Sequence, residues 1–556
     1  MQTAAVVGEA SDAAARERCV RAYHERSKHR PERYAPGPET LDWDAQPDPF
    51  RRYAGAPVEP LPLPAGALAA TRQPSWSELF VPGAVAPRAL SRSAVGLLFE
   101  LSVAISAWKR QGPDRWAVRC NPSSGNLHPT EAYLIAHGVT GLDDGIYHYA
   151  PREHALERRA AGAPGLAAEQ PRLWVGFVSI HWREAWKYGE RAFRYCQLDI
   201  GHALGALRYA AAVLGWRARV VEGLEPQALA ALLGVDRDDD FGAAEREEPE
   251  LLVELHCGGA EPAAPAAAPG FWPASTCWQG RANRLDRHPM YRWPAIDEVA
   301  RASRGAYALA TPGGERPAPA ARDVPAAQAV AAELIRQRRS AQRFDARRQM
   351  PADAFARLVQ ALAPAGLPWD LRPAPARVHL VLFANRVDGL AAGAYALPRS
   401  AAGETAMRRS FAVGLEWEPV PLAAKGPPPL FRLAANPALA GTLRTLNCHQ
   451  ALGADAMLAV AMLAEFDGPL AARPSNYREL LHEAGLAGQV LYLESEAAGL
   501  RGTGIGCFFD DALHELLGLR GSTLQSLYHF TVGAPLADLR IASEPPYPGR
   551  TDDDER

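Results

Sequence analysis

The stretch NPSSGNLHP at Asn121–Pro129 decides how the rest of this chain is interpreted. Two serines, a glycine and an asparagine lie between two prolines. A loop of this composition presents backbone N–H groups and side-chain hydrogen-bond donors at a fixed place. Such a loop can lie against a planar, electron-rich ring and hydrogen-bond its edge, although the same residue types also build ordinary turns. Two further stretches favour the first interpretation: RRSAQRFD at Arg338–Asp345 and GTGIGCFFDDALHELLGL at Gly502–Leu519.

Length and composition limit the class of protein. A chain of 556 residues is too long for one hydrophobic core and predicts about two to four domains. Its 22% of charged residues is typical of a soluble globular protein, and no run approaches the roughly 20 apolar residues of a membrane span. The net charge of −3 predicts neither nucleic acid nor membrane as a partner. Seven cysteines without a CxxC pair favour a reducing compartment, by default the cytoplasm, and argue against a disulfide framework or zinc site.

Composition divides the chain into four parts. The N-terminal stretch is rich in proline and arginine and is expected to wrap over a folded body as an extended arm. Two later regions alternate helical and strand-like patterns on either side of a Pro- and Ala-rich sequence. The predicted boundaries are an arm over 1–89, a first domain over 90–258, a linker with a docked segment over 259–325 and a second domain over 326–556.

The two alternating regions contain similar short sequences. SRSA at Ser91–Ala94 matches RRSA at Arg338–Ala341, and GHALGAL at Gly201–Leu207 matches HQALGAD at His449–Asp455, with nearly the same separation in both cases. This regularity indicates that one domain was duplicated, so the chain is expected to form an internal pseudo-dimer. The alternative is two unrelated α/β domains.

Taken together, the three motifs resemble those of the nitroreductase-like flavoprotein family, and in particular of its SagB/ThcOx-type dehydrogenase branch, which is often found as a tandem fusion. The resemblance implies an α+β fold, normally a homodimer with FMN bound in the subunit interface. It also implies that the Arg-Arg-Ser helix and the late glycine-rich turn come from one subunit and the Pro-Ser-Ser-x-Asn loop from the other. Here two tandem copies would form that dimer within one chain, and further homo-oligomerisation stays open.

Each half retains what the other has lost. The first half has Ser91 in place of Arg338, and its segment ARVVEG at Ala218–Gly223 keeps one of the three glycines of GTGIGC. The second half has PWDLRPAP at Pro368–Pro375 where the first has PSSGNLHP, without the serines, the glycine or the asparagine. This complementarity predicts one FMN site between the domains and a decayed site at the symmetry-related position.

The motif residues are expected to divide the work of holding FMN. A guanidinium fork and a hydroxyl suit the phosphate, the hydroxyl loop suits the pyrimidine edge of the ring, and the glycines allow close backbone approach. The resemblance puts Gln342 where relatives usually carry a second basic residue. The alternatives are a solvated basic helix face and a simple helix start. The residues assigned to the cofactor are Arg338, Arg339, Ser340, Gln342, Pro122, Ser123, Ser124, Asn126, Gly504, Ile505, Gly506 and Arg540.

Lys187 and Tyr188 precede a long apolar helix. The resemblance implies a catalytic role, because a Lys-Tyr pair near this point acts in azoline-oxidising relatives. Either group needs a shifted pKa to act as a base at neutral pH, and an adjacent ammonium lowers that of a phenol. The alternative is a structural pair, with a snorkelling lysine and an interfacial tyrosine. The histidines lie in apolar patterns without metal-binding spacing, so no metal is expected.

These inferences predict an FMN-dependent oxidoreductase that transfers a hydride through flavin N5. The resembled branch implies oxidation of an azoline in a ribosomal peptide, with oxygen as electron acceptor. One alternative is an NAD(P)H-dependent reductase of nitro or quinone compounds. Another is a non-catalytic duplicated scaffold that binds a peptide or a partner enzyme.

Overall fold

Two seven-stranded antiparallel sheets form the framework of the computed structural model, which describes residues 2–63, 72–162, 171–258, 266–269, 278–308, 328–422 and 428–548. The strands are β1 (Tyr53–Ala54), β2 (Val58–Pro60), β3 (Ile105–Gln111), β4 (Asp114–Arg119), β5 (Thr130–His137), β6 (Gly145–Ala150), β7 (Ala155–Ala161), β8 (Arg172–Ser179), β9 (Arg217–Val220), β10 (Glu248–His256), β11 (Arg281–Ala282), β12 (Val378–Ala384), β13 (Gly393–Leu397), β14 (Glu418–Pro419), β15 (Phe431–Ala435), β16 (Leu458–Glu465), β17 (Arg501–Ile505), β18 (Leu524–Gly533) and β19 (Ala542–Glu544).

The two large sheets have the same topology. The first has the order β2-β7-β6-β5-β8-β10-β9 and the second β14-β15-β13-β12-β16-β18-β17. Their central strands β5 and β12 are buried along their whole length. Burial on both faces explains why β12 is a nearly continuous apolar run rather than an alternating one. In the register, Leu134 of β5 lies opposite Val175 of β8, and Leu380 of β12 opposite Met462 of β16.

Helices cover the sheets and join the two halves. They are α1 (Gln2–Arg26), α2 (Arg92–Ser102), α3 (His181–Tyr188), α4 (Ala192–Val213), α5 (Pro226–Leu233), α6 (Asp238–Phe241), α7 (Pro294–Ala302), α8 (Ala331–Gln337), α9 (Ala352–Ala361), α10 (Ala401–Ser410), α11 (Leu439–Leu446), α12 (Ala451–Asp455), α13 (Asp467–Ala472), α14 (Asn476–Ala497) and α15 (Asp510–Leu517). None of these described helices is both long and apolar enough to cross a membrane.

The helices α4 and α14 meet at a pseudo-two-fold axis. Each has 22 residues, and they approach closely at Gly201 and Gly485. A Cβ on Gly201 would collide with the carbonyl oxygen of His482, and a Cβ on Gly485 would collide with that of Leu198. This reciprocal contact relates the two halves of the chain. The predicted α+β fold in two tandem copies is therefore confirmed.

Two of the sequence matches used to infer the duplication join segments that are not equivalent. GHALGAL lies inside α4, whose counterpart is α14, whereas HQALGAD lies around α12 before β16. SRSA begins α2, with Ser91 as its N-cap, whereas RRSA follows α8. The other two matches are sound, because β9 and β17 are corresponding edge strands and Pro122–Pro129 and Pro368–Pro375 both precede central strands.

The N-terminal segment differs from the extended arm that was predicted. Residues Gln2–Arg26 form α1, because this stretch is rich in alanine and contains no proline before Pro31. The helix docks on both halves: the Tyr23 hydroxyl donates to the Glu190 carbonyl at 2.6 Å, and His24 Nδ1 lies 3.1 Å from the Tyr477 hydroxyl. The remainder of the arm, over the described residues 27–63 and 72–89, is largely without regular structure.

Most of the Pro- and Ala-rich sequence of the predicted linker lies outside the described residues. The part between its two halves, residues 278–308, contains α7 and docks on the body. Arg304 forms an ion pair with Glu248 of β10, and the Tyr307 ring stacks on His482 of α14 with centroids 5.9 Å apart. The domain boundaries themselves stay predictions.

Candidate functional site

A cavity of about 500 Å³ lies between the two halves of the chain. This volume is within the range of about 300–1,000 Å³ that is typical of small-molecule sites. Its wall brings together residues from the hydroxyl loop, the Arg-Arg-Ser segment and the glycine-rich strand β17. The predicted residues that line it are Pro122, Ser123, Ser124, Asn126, Tyr188, Arg338, Arg339, Ser340, Gln342, Gly504, Ile505 and Gly506.

Lys187 and Arg540 are absent from the wall formed by the described residues. Arg540 is exposed and forms an ion pair with Asp538 at 2.6 Å. The structure therefore does not support the predicted reach of Arg540 toward a phosphate. Lys187 lies behind Tyr188, with its ammonium 5.4 Å from the centre of that ring and 5.2 Å from the ring of Trp43.

The hydroxyl loop is held rigid by its own side chains. Gly125 and Asn126 both have left-handed backbones, with φ of 58° and 61°. The Asn126 amide donates to the Ala117 carbonyl at 2.8 Å, and the Ser123 hydroxyl accepts from the His128 N–H at 2.8 Å. The three polar side chains were expected to point at the edge of a ring. In the structure they fix the loop, so its shape is preorganised before any ligand binds.

Gly125 is required for the contact between this loop and Tyr188. A Cβ at Gly125 would lie 3.0 Å from two carbon atoms of the Tyr188 ring. Gly504 and Gly506 serve similar contacts, because the space of their missing Cβ atoms is occupied by the rings of Tyr528 and Tyr195. The glycines of β17 thus admit tyrosines to the cavity wall, where the sequence predicted close approach to a ligand.

Two buried carboxyl groups lie beneath the hydroxyl loop. Asp199 of α4 lines the cavity and accepts from the Ser124 N–H at 3.1 Å and from the Ser124 hydroxyl at 3.0 Å. Burial raises the pKa of Asp199 to about 7, although the hydrogen bonds from Ser123 and Ser124 oppose the shift. Burial and the neighbouring Asp199 raise the pKa of Glu184 well above its usual value. Burial therefore favours the protonated form of Glu184, and Asp199 is partly ionised near neutral pH.

Three cations converge on the cavity: Lys109 of β3, Arg339 and Arg501 of β17. Burial, then the charges of Arg339 and Arg501, lower the pKa of Lys109. Burial and the neighbouring Arg338 and Arg501 lower the pKa of Arg339 to about 10. Among the described residues, neither Lys109 nor Arg339 has a carboxylate within ion-pair distance, and Arg501 has only Glu496 at 3.6 Å. Such a cluster of like charges is stabilised by an anion.

Arg338 occupies the wall but its guanidinium binds the other half of the chain. It is 3% exposed, and its Nε and Nη2 donate to the carbonyls of Cys120 and Arg119 at 3.1 and 2.8 Å. The segment leaves the helix at Gln337, so the Arg-Arg-Ser helix and the basic helix face that the sequence allowed are both absent. Arg338 ties the domains together beside the hydroxyl loop. Arg339 is also bonded to backbone carbonyls: its Nη1 donates to those of Arg336 and Arg338 at 2.8 and 2.7 Å, and its Nη2 donates to that of Ser106 in the first half at 3.0 Å.

Ser340 belongs to a hydrogen-bonded group on α14 and β17. Its hydroxyl lies 2.8 Å from that of Tyr492, which also accepts from the Gly504 N–H at 2.9 Å. On the opposite helix, His202 Nε2 lies 3.0 Å from the Tyr528 hydroxyl, and burial lowers the pKa of His202 to about 3. His202 is thus a neutral residue of the wall.

Tyr188 is a neutral phenol in this environment. Burial, then Glu184 and Tyr195, raise its pKa well above the usual value. The sequence predicted that the adjacent ammonium would lower this pKa, but burial and the neighbouring acidic groups raise it instead. Burial also lowers the pKa of Lys187. The geometry favours Tyr188 as a proton donor and Asp199 as the acceptor with a pKa near neutrality.

Several wall residues were missed by the sequence reasoning: Lys109, Asp199, His202, Tyr492, Arg501 and Tyr528. Asp199 and His202 could have been found from their position, because they lie on one face of the helix that follows Tyr188. Lys109 carried no such signal, since nothing in its hairpin sequence indicates which part of the second domain it meets.

The pseudo-symmetric counterpart of the site is filled. Its cavity measures about 110 Å³ and is lined by Val220 of β9 and by Glu483 and Leu486 of α14. Trp369 and Tyr307 also line it, and Arg208 pairs with Asp370 of the segment that replaces the hydroxyl loop. This volume is below the range of ligand sites. The described residues also contain no cluster of three or more metal-ligating side chains.

Comparison with known proteins places this geometry in a family. The model of the Nitroreductase family matches residues 114–244 and 335–534, more than half of the chain. A crystal structure of a nitroreductase-like protein from Anabaena variabilis superposes with a TM-score of 0.66 at 21% identity, over 93% of this chain and 99% of that one, which shows the shared fold.

Two curated relatives match shorter regions. A nitroreductase-like protein of Methanocaldococcus jannaschii is 28% identical over 104 residues, which are 17% of this chain and 52% of that protein. The trifolitoxin-processing protein TfxB of Rhizobium leguminosarum bv. trifolii is 33% identical over 109 residues, 17% of this chain and 29% of that protein. The matches therefore span about half or less of these relatives. Because the family model covers both halves of the chain, this protein belongs to the nitroreductase family, with two copies in tandem.

Proposed function

We propose that this nitroreductase-family oxidoreductase binds one FMN between its two halves and oxidises its substrate by hydride transfer. The observation that carries the proposal is the set of three cations, with Glu496 as the one carboxylate paired with them among the described residues, in the wall of a cavity of ligand size. Lys109 comes from the first half, and Arg339 and Arg501 come from the second. A phosphate with nearly two negative charges would relieve their mutual repulsion. The filled counterpart supports one cofactor per chain rather than two.

The residues of the wall fit FMN in other respects. The preorganised hydroxyl loop and the tyrosines on Gly504 and Gly506 offer a flat, partly apolar surface with polar edges. When bound, FMN supplies a two-electron acceptor at its N5 atom. The protein has to hold the ring, exclude water and handle the proton that accompanies each hydride. Tyr188 and Asp199 are the wall residues that can donate and accept that proton.

For the substrate, we propose an azoline in a ribosomal peptide, as in the SagB/ThcOx-type branch, with oxygen as electron acceptor. Two features support it. One is the similarity to a protein named for processing trifolitoxin, a relative that this chain covers only in part. The other is the adjacent Lys187 and Tyr188, which the branch pairs in catalysis. This proposal goes beyond the family assignment and depends on a direct test.

The proposed function predicts a bound flavin in equimolar amount. The purified chain, reconstituted with FMN and desalted, should retain one FMN per chain by its visible absorbance. Anaerobic addition of an azoline-containing peptide should bleach that absorbance, and air should restore it. Rapid bleaching by NADPH without bleaching by the peptide would favour a nitro or quinone reductase instead. If the chain does not retain FMN, the remaining hypothesis is a non-catalytic scaffold that binds a peptide or a partner enzyme.

A second prediction concerns Tyr188. Tyr188→Phe keeps the ring that packs on Gly125 and Tyr195 but removes the hydroxyl, so FMN content should stay within 20% of wild type, on the order of measurement error, while turnover falls about tenfold or more. Lys187→Met should lower turnover less, because Lys187 lies behind the ring and outside the wall. Equal turnover in wild type and Tyr188→Phe would remove Tyr188 from the mechanism.

A further inference from the structure

Two cysteines meet at the edge of the cavity. Cys507 directly follows Gly506 and lines the wall. Cys448 lies on the loop between α11 and α12, and its thiol is hydrogen-bonded to that of Cys507. Both side chains are partly exposed. The flavin-binding role proposed above uses neither thiol.

The N-terminal arm adds two polar groups to this pair. The His29 ring hydrogen-bonds the Cys507 thiol, while its Nδ1 accepts from the Ala35 N–H at 2.9 Å. The Tyr34 hydroxyl contacts the Cys448 thiol. The arm thus orients His29: the Ala35 N–H fixes its Nδ1, and its ring faces the Cys507 thiol.

The backbone around Cys448 is strained. Cys448 and His449 have φ of 52° and 61°, in the left-handed region that favours glycine. The next residue, Gln450, donates from its amide to the Cys507 carbonyl at 3.1 Å. On the other side, the carbonyl of Gly506 accepts from Arg191 Nη2 at 3.0 Å. The Gln450 bond joins the two segments that carry the thiols, and the Arg191 bond fixes one of them to the first half of the chain.

The two thiols differ in acidity. The hydrogen bond from Cys448, aided by His29, lowers the pKa of Cys507, and the same contact raises the pKa of Cys448. Burial raises the pKa of four other described cysteines, Cys19, Cys120, Cys196 and Cys257. Cys507 is therefore the described cysteine whose surroundings favour the thiolate, and thiolates are the reactive form.

We propose that Cys507 and Cys448 are an oxidant-sensitive pair that forms a reversible disulfide in response to hydrogen peroxide. The Cys507 thiolate attacks the terminal oxygen of the peroxide, the O–O bond breaks, and the departing hydroxide leaves as water after taking up a proton. Cys448 then attacks the resulting sulfenic acid, the S–O bond breaks, and its hydroxyl leaves as a second water with the Cys448 proton. Two thiols are oxidised by two electrons, peroxide is reduced to water, and a dithiol restores the reduced pair.

The disulfide would act on the cavity without occupying it. It would join the end of β17 covalently to the loop that carries Gln450, and both segments line the wall. The inference does not depend on FMN, because the arrangement of thiols, His29 and strained backbone belongs to the protein alone. Its failure and that of the proposed function are therefore separate results.

The test is thiol mapping of the wild-type full chain, with and without FMN. Brief exposure to hydrogen peroxide, followed by alkylation and proteolysis, should give one cross-linked pair of peptides containing Cys448 and Cys507 and a mass loss of 2 Da, a value on the order expected for two hydrogens. Dithiothreitol should reverse it. Free Cys448 and Cys507 after a treatment that oxidises Cys19 or Cys257 would overturn the proposal.

Variants separate the two steps. In Cys448→Ser, Cys507 should stop at the sulfenic acid and be captured by a 1,3-dione, which does not label the wild type. His29→Gln should slow the oxidation of Cys507, while Cys19→Ser should leave rate and product unchanged. If Cys448→Ser gives no dione adduct while retaining the wild-type melting temperature, Cys507 is not the attacking thiol and the proposal fails.

Discussion

Replacing Lys109 and Arg501 together by glutamine will weaken FMN binding by about two to four orders of magnitude and leave riboflavin binding nearly unchanged. Each charged hydrogen bond to a phosphate is worth about 1.5–3 kcal/mol, or roughly 10- to 150-fold in affinity. Riboflavin has the same ring and lacks the phosphate, so the ratio of the two dissociation constants isolates the phosphate contribution. Titration of flavin fluorescence measures both constants.

The same double substitution is expected not to destabilise the flavin-free protein. In the absence of an anion, Lys109, Arg339 and Arg501 repel one another, and this repulsion adds to burial, the larger cause, in lowering the pKa values of Lys109 and Arg339. Removing two of the three charges relieves that repulsion. The melting temperature of the apoprotein should therefore equal or exceed that of wild type, while FMN should no longer raise it strongly.

Two exposed arginines provide matched controls. Arg347 pairs with Asp345 and Arg540 pairs with Asp538, and both guanidinium groups are outside the cavity wall formed by the described residues. Arg347→Gln and Arg540→Gln should leave FMN affinity within about twofold, since exposed ion pairs contribute little. If the Lys109/Arg501 variant binds FMN and riboflavin more weakly by the same factor, these cations do not face the phosphate.

The sequence allowed the site to be located because its three motifs carry local signals. Gly125 between Ser124 and Asn126 marks a left-handed turn, and the glycines of GTGIGC mark a strand that is approached closely. In the structure, Gly125 has a left-handed backbone and side chains closely approach the glycines of GTGIGC. What approaches the glycines could not be predicted, because the rings of Tyr195 and Tyr528 come from distant segments.

The repeat was predicted for partly incorrect reasons. Short identical strings favoured pairing Gly201–Leu207 with His449–Asp455, whereas the structure pairs α4 with α14 through Gly201 and Gly485. Close packing of the two helices requires a small residue at the axis, whereas the residue types around it can differ between the halves. Similarly, the hydrogen-bond partners of Arg338 could not be predicted from the sequence. Its guanidinium donates to the carbonyls of Arg119 and Cys120, which come near it only in the folded chain and would compete with a phosphate for its N–H groups.

The largest effect expected outside the cation cluster comes from Asp199. Its pKa is about 7 in the folded protein and about 3.8 without burial, so the native state binds a proton that the unfolded state releases. Because the folded value is the higher one, the stability contribution is complete below pH 4, roughly, and is lost as the pH rises through about 7. The loss amounts to at most about 4 kcal/mol. Wild-type stability should therefore fall over this range.

Asp199→Asn should remove that dependence. Its Oδ1 can still accept from the Ser124 N–H and hydroxyl, but no charge has to be buried at high pH. The urea midpoint of the variant should approach or fall below that of wild type at pH 4 and exceed it increasingly up to pH 8. Glu184→Gln is a second comparison: burial also raises the pKa of Glu184, so its replacement should remove a separate part of the loss of stability with rising pH and leave the inflection near pH 7 in place. If wild type and Asp199→Asn give parallel midpoints from pH 4 to 8, Asp199 does not hold its proton at neutral pH, and it loses its place as the proton acceptor in the wall.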